Sequence, residues 1–221
     1  MIAQVNGIDI FYEKTGEGRP LILVHGNGED HTIFDEAIAV LKDDFTCYAV
    51  DSRCHGQSGG AGDLHYRDMA ADMLAFMEEL DLHDAVFYGF SDGGIIGLMA
   101  AAQTDRITTL ITSGANTNPT AVKLGLRLLI GGIYLFKKDP KMALMLHEPH
   151  ITDDTLRSIR ARTLVLAGSK DLIPEYETRH IAATVPGAEL KILEGEGHGS
   201  YIVHKTAIAD LIREFCLPAG T

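Results

Sequence analysis

Residues 85–100 read Ala85-Val86-Phe87-Tyr88-Gly89-Phe90-Ser91-Asp92-Gly93-Gly94-Ile95-Ile96-Gly97-Leu98-Met99-Ala100. An apolar, β-forming run passes through a glycine-flanked serine into a glycine-rich helical run. The pattern Gly-x-Ser-x-Gly gains meaning only in such a strand–turn–helix context. A nucleophile on so tight a corner needs a strained backbone, and bulky side chains two residues to either side would collide there. Gly89 and Gly93 remove those side chains, while Gly94 and Gly97 allow the helix to pack closely on a sheet. The Ser91 hydroxyl then projects over a helix N-terminus, where backbone amides stabilise developing negative charge.

Working outward from this corner, strands and helices alternate. Ile2–Val5 and Ile8–Tyr12 flank an Asn6-Gly7 turn and form a hairpin. Further strands are expected at Leu21–Val24, Phe45–Val50, Ala85–Gly89, Ile107–Thr112, Thr163–Ala167 and Leu190–Leu193. Such continuous apolar runs suit strands buried on both faces of a parallel sheet. Between them, Met69, Met73, Phe76, Met77 and Leu80 form one apolar helical stripe with Arg67, Asp72, Glu78 and Glu79 off it. Ile208, Leu211, Ile212 and Phe215 repeat the spacing. The alternation predicts an α/β fold, a mostly parallel twisted sheet with helices on both faces.

A serine nucleophile needs a base, and the base needs an orienting acid. Of ten histidines, His198 lies in the glycine-rich loop directly after Leu190–Leu193. Asp171 directly follows the strand Thr163–Ala167. Ser91, Asp171 and His198 thus all sit at C-terminal strand ends, where open α/β sheets carry their sites. Asp51, in a different loop, and Asn116, which lacks a full charge, are weaker candidates for the acid. His25-Gly26-Asn27-Gly28 follows another strand, and there the amide of Asn27 could join that of Asp92 in an oxyanion hole. The same four residues also read as a plain tight turn, with His25 structural. They do not read as a dinucleotide loop, because His31 stands where a third glycine is required. His147 and His150 lack a third ligand, so neither a metal nor a cofactor is expected.

One segment interrupts the alternation. Residues 117–160 hold helical text without a strand and carry seven basic and four acidic residues, leaving −15 on the remainder of a chain of net charge −12. Within a single domain spanning residues 1–221, this is a helical lid inserted between two strands. Its basic residues either solvate helix faces or select substrates bearing a carboxylate. The overall acidity argues against nucleic-acid partners and against anionic membranes. No stretch is long and apolar enough to span a bilayer. Cys47, Cys54 and Cys216 are too few and scattered for a disulfide or zinc framework, and Cys47 reads as a core residue. Met1–Val5 carries no leader-like pattern, so a cytoplasmic location is expected.

The elbow Gly89–Gly93, the turn His25–Gly28, Gly168–Asp171 and Gly197-His198 together resemble the α/β-hydrolase superfamily. The elbow is similar to that of small serine esterases in its valacyclovirase-like branch. Asp51-Ser52-Arg53-Cys54-His55-Gly56-Gln57-Ser58 resembles that family's D-x-R-G-x-G-x-S segment, with Cys54 in place of a glycine. That replacement either alters the loop or brings a thiol near the pocket. The resemblance implies a serine hydrolase of small carboxylic esters acting through an acyl-enzyme, with a pocket more open than under longer lids. A serine in place of aspartate disfavours dehalogenase and epoxide-hydrolase chemistry. Lactone, thioester or C–C bond hydrolysis and perhydrolysis use the same three residues, and a slow-turnover binding protein on this fold is the alternative of a different class.

Overall fold

The computed structural model describes residues 1–217. Eight strands form one sheet: β1 (Ile2–Val5), β2 (Ile8–Thr15), β3 (Arg19–Val24), β4 (Phe45–Val50), β5 (Ala85–Phe90), β6 (Ile107–Ser113), β7 (Arg162–Gly168) and β8 (Glu189–Leu193). Each expected strand is present and most are longer by one or two residues. Their order across the sheet is β1-β2-β4-β3-β5-β6-β7-β8. Pairing is antiparallel at β1–β2 and β2–β4 and parallel thereafter. The first hairpin turns at Asn6 and Gly7, both at positive φ (48° and 77°), as a two-residue turn between right-twisted strands requires.

The period of two along each strand sorts the core into two layers. Leu21 and Leu23 face the side covered by α1 (Asp35–Leu41) and α8 (Ala207–Cys216), with Phe34, Leu41, Ile208 and Ile212 packed between. Ile22 and Val24 face the other layer, where α2 (Tyr66–Glu79), α3 (Asp92–Ala101) and α7 (Glu175–Thr184) pack. Cys47 is fully buried in the first layer, and all three cysteines are free. Between β6 and β7 lie α4 (Leu124–Lys137), α5 (Pro140–His147) and the short α6 (Asp153–Arg157). No described helix is long and apolar enough to cross a membrane.

β3 is flanked by β4 on one side and β5 on the other, so successive crossovers diverge at its C-terminal end. Divergence opens a crevice there, and the neighbouring strand ends supply residues to it.

The α2 stripe departs from expectation at Asp72, which the helical spacing puts on the solvent face. Asp72 is fully buried. Its carboxylate takes both Nε and Nη2 of Arg53 at 2.7 Å, and Asn6 Nδ2 at 3.0 Å. This fork ties the loop after β4 to α2 and the first hairpin, and a charge becomes tolerable in the core only through such partners. Cys54, in the same loop, adopts the left-handed backbone that a glycine would supply (φ 60°). The loop therefore keeps its course, with Cys54 Sγ beside Gly60 and its side chain against the core. Replacing Asp72 by alanine strands the Arg53 guanidinium, and the urea midpoint should fall by the equivalent of about 3 kcal/mol. Asp72→Asn, which keeps an acceptor, should lose less.

Candidate active site

Ser91 joins β5 to α3 with φ 52° and ψ −112°. This left-handed corner costs a non-glycine residue about 1–2 kcal/mol. Close packing over-determines it: a Cβ on Gly89 would run into the Gly93 carbonyl, and one on Gly93 into the carbonyl of Val24. The Ser91 N–H donates to Ser113 O (2.8 Å) and the Gly93 N–H to His25 O (3.1 Å), so the corner is fastened to the ends of β6 and β3.

His198 lies after β8, three strands from β5 in the sheet order. At about 4.8 Å per strand, its ring must reach back across the ends of β7 and β6. It does so with Nε2 2.9 Å from Ser91 Oγ and Nδ1 2.6 Å from Asp171 Oδ1. Asp171, at the end of β7, is 3% exposed, and the same oxygen accepts from Ile173 N–H at 2.8 Å. Its Oδ2 is buried without a partner. The His198 ring rests against Phe90, with centroids 5.0 Å apart.

The path of that ring depends on a residue the sequence reading passed over. Gly114 follows β6, and a Cβ on it would stand 2.7 Å from His198 Cε1. The available signal was its position, a glycine at the one intervening strand end not otherwise assigned.

Asn27 and Asp92 also come together here. Asn27 Nδ2 donates to Asp92 Oδ2 (2.9 Å) and to the Lys141 carbonyl (3.2 Å), and Tyr66 OH donates to Asp92 Oδ1 (2.7 Å). The Asp92 side chain is thereby turned from the corner and clipped to β3's loop and to α2. The backbone N–H groups of Asn27 and Asp92 have no acceptor among the described residues. They are free donors beside Ser91. His25 is structural: its Nδ1–H donates to Gly26 O (2.8 Å) and its Nε2 accepts the Ser52 N–H (3.0 Å). Burial pushes its pKa down to about 4, so the ring is neutral.

A cavity of ≈ 300 Å³ opens beside Ser91 and His198, walled by Leu126, Ile130, Met142, Met145 and Leu172. Its charged lining favours the reading in which the basic residues of 117–160 solvate helix faces. Glu29, Asp92 and Glu148 line it, and no lysine or arginine does. Four of the seven basic residues of 117–160 are engaged or face solvent. Lys123 Nζ donates to the Asp171 carbonyl, Arg157 pairs with Asp153 and Asp154, and Lys137 and Lys138 face solvent. Glu29 was not foreseen. Its Oε2 accepts the Gly26 N–H (3.0 Å), and burial pushes its carboxyl pKa up, as it does that of Asp92. Cys54 does not line the cavity. Among the described residues one group of three potential metal ligands converges, Asp30, His31 and Asp51. Asp51 there already accepts from the N–H groups of His31 and Gln57 and bonds the His31 ring.

Comparison with known proteins adds three relatives. A family model described as the alpha/beta hydrolase fold matches residues 19–132, just over half of the chain. The AB hydrolase superfamily protein YisY of Bacillus subtilis (strain 168) is 29% identical over 255 residues, spanning 94% of this chain and 95% of its own length. The serine hydrolase BPHL of Mus musculus is 27% identical over 245 residues, spanning 96% of this chain and 84% of that protein. Among solved structures, the enol-lactonase from Burkholderia xenovorans LB400 superposes with a TM-score of 0.83 at 21% identity, over 99% of this chain and all of that one. At that identity the likeness concerns the fold.

The buried neutral His25 makes stability depend on pH. Folded, the ring takes a proton only near pH 4; unfolded, it does so near 6.5. Between these values unfolding absorbs a proton, so the contribution is complete above pH 6.5 and is lost as the pH falls to about 4. The loss should be on the order of 3 kcal/mol. Urea titrations across this window should show that slope in the wild type and a shallower one in His25→Gln.

Proposed function

This chain belongs to the alpha/beta hydrolase fold family of enzymes, and from that premise we propose that it is a serine hydrolase cleaving small, uncharged carboxylic esters through an acyl-enzyme on Ser91. The observation that carries this reading is the hydrogen-bonded run Asp171–His198–Ser91, which ends beside an apolar-walled cavity. In this reading residues 117–160 are the lid that roofs the cavity.

Ser91 Oγ attacks the ester carbonyl as His198 Nε2 removes its proton. The bond from Nδ1 to Asp171 fixes the tautomer in which Nε2 is the base. The buried Asp171 carboxylate, bonded to His198 Nδ1, stabilises the imidazolium that forms beside it. The carbonyl oxygen, now anionic, is held by the Asn27 N–H from the loop after β3 and the Asp92 N–H at the N-terminus of α3. His198 then gives its proton to the departing alkoxide. A water enters, loses a proton to His198 and attacks the acyl carbon, and Ser91 leaves with that proton. No cofactor takes part.

The cavity size suits small acyl groups. Its acidic lining opposes a second carboxylate, because charge–charge repulsion strengthens where water is excluded.

Two measurements test the reading. A fluorophosphonate should add once to the wild type by intact mass and not at all to Ser91→Ala, whose turnover should fall by about 10⁴-fold or more. An unlabelled wild type, or an unchanged Ser91→Ala rate, would refute the nucleophile. Against acyl esters matched in size, kcat/KM should be at least about tenfold higher for neutral than for carboxylate-bearing acyl groups. Equal rates would remove the charge argument and leave the nucleophile standing.

A further inference from the structure

Helix α4 has two unlike faces. Leu126 and Ile130 line the cavity. The opposite face carries Leu124, Leu128, Leu129, Leu135 and Phe136, which are 67%, 68%, 59%, 68% and 89% exposed. At about 100° per residue, these five and the exposed Gly125 and Gly132 fall within one arc of roughly 140°. No polar side chain interrupts it. Isolated exposed leucines are ordinary on a soluble protein, but five large apolar groups on one helix mark a surface that meets something.

Charge identifies what it meets. The chain is acidic overall, yet residues 123–138, α4 with its two caps, hold four basic residues and no acidic one. Lys137 and Lys138 are exposed directly beside Phe136. Screening confines each charge to a range of about 8–10 Å, so this face presents itself as cationic despite the net −12. A second copy would set like charges together, and five side chains fall well short of the roughly 20–30 residues a side of a standard interface. Bulky apolar residues with lysines at their margin suit the boundary between water and acidic headgroups. We propose that the outer face of α4 docks the protein on an anionic lipid surface.

Leu172 lines the cavity, is 41% exposed, and accepts the Lys123 N–H through its carbonyl (3.3 Å) at the start of α4. Leu172 thus ties the rim of the cavity to the N-terminal end of the docking helix.

The test is co-sedimentation of the full chain with vesicles, which needs no turnover and so is independent of the proposed chemistry. The wild type should sediment with vesicles of equal parts phosphatidylcholine and phosphatidylglycerol, less so as salt rises, and weakly with phosphatidylcholine alone. Neutralising both lysines in K137Q/K138Q should weaken binding about 30-fold. L128S/F136S should weaken it at least about tenfold. Both should keep wild-type circular dichroism and wild-type rates on soluble esters, since none of the four residues lines the cavity. Absence of binding to the acidic vesicles, equal binding to neutral ones, or indifference to both variants would overturn the proposal. So would a concentration-dependent dimer in ultracentrifugation that L128S/F136S dissolves, which would assign the face to a second copy.

Discussion

The left-handed backbone of Ser91 is the constraint on which the rest of this architecture depends. A serine held at φ 52° between a strand and a helix persists only where its neighbours leave no other path. Here Gly89 and Gly93 approach until no side chain fits between them, and Gly93 bears on the end of β3. The hydrogen bonds that lock the corner run to Ser113 and His25, at the ends of the two strands flanking β5. Fixing the serine therefore also fixes the loop that holds Asn27 and the turn that holds Gly114. The strain is local, but the residues that sustain it come from three strands.

That dependence explains which parts could be read from sequence. Elements with a one-dimensional signature were legible: the continuous apolar run of β3, the glycine spacing around Ser91, and the strand ends that carry Asp171 and His198. Asp72 was not, because helical spacing reports only which face a residue occupies. Its burial follows from Arg53 and Asn6, which lie 19 and 66 residues away in the chain and meet it only in the fold. Gly114 was missed for a related reason. Its lack of a side chain matters to the His198 ring, which arrives from two strands beyond.

The charge of residues 117–160 shows a further limit. A net count treats seven basic residues as one field, whereas each acts within about a Debye length and according to where its side chain points. Helix α4 roofs the cavity with Leu126 and Ile130 and leaves its lysines at its ends. The field in the cavity is then set by Glu29, Asp92 and Glu148, two of which lie outside that segment. The composition of the segment therefore does not report the charge that lines the cavity.

An acidic cavity sits awkwardly beside the proposed reaction, which develops negative charge, and the local structure answers the difficulty. The residue nearest the corner, Asp92, lends its backbone N–H toward the nucleophile and turns its carboxylate to Tyr66 and Asn27. Those two donors spread its charge away from the position of the oxyanion. Beneath them, the aligned N–H groups of α3 favour the oxyanion over any carboxylate farther from the helix axis. Under the proposed reaction, position sets two anions apart: one generated over the helix N-terminus meets its amides, and one carried in on the acyl group meets Glu29 and Glu148.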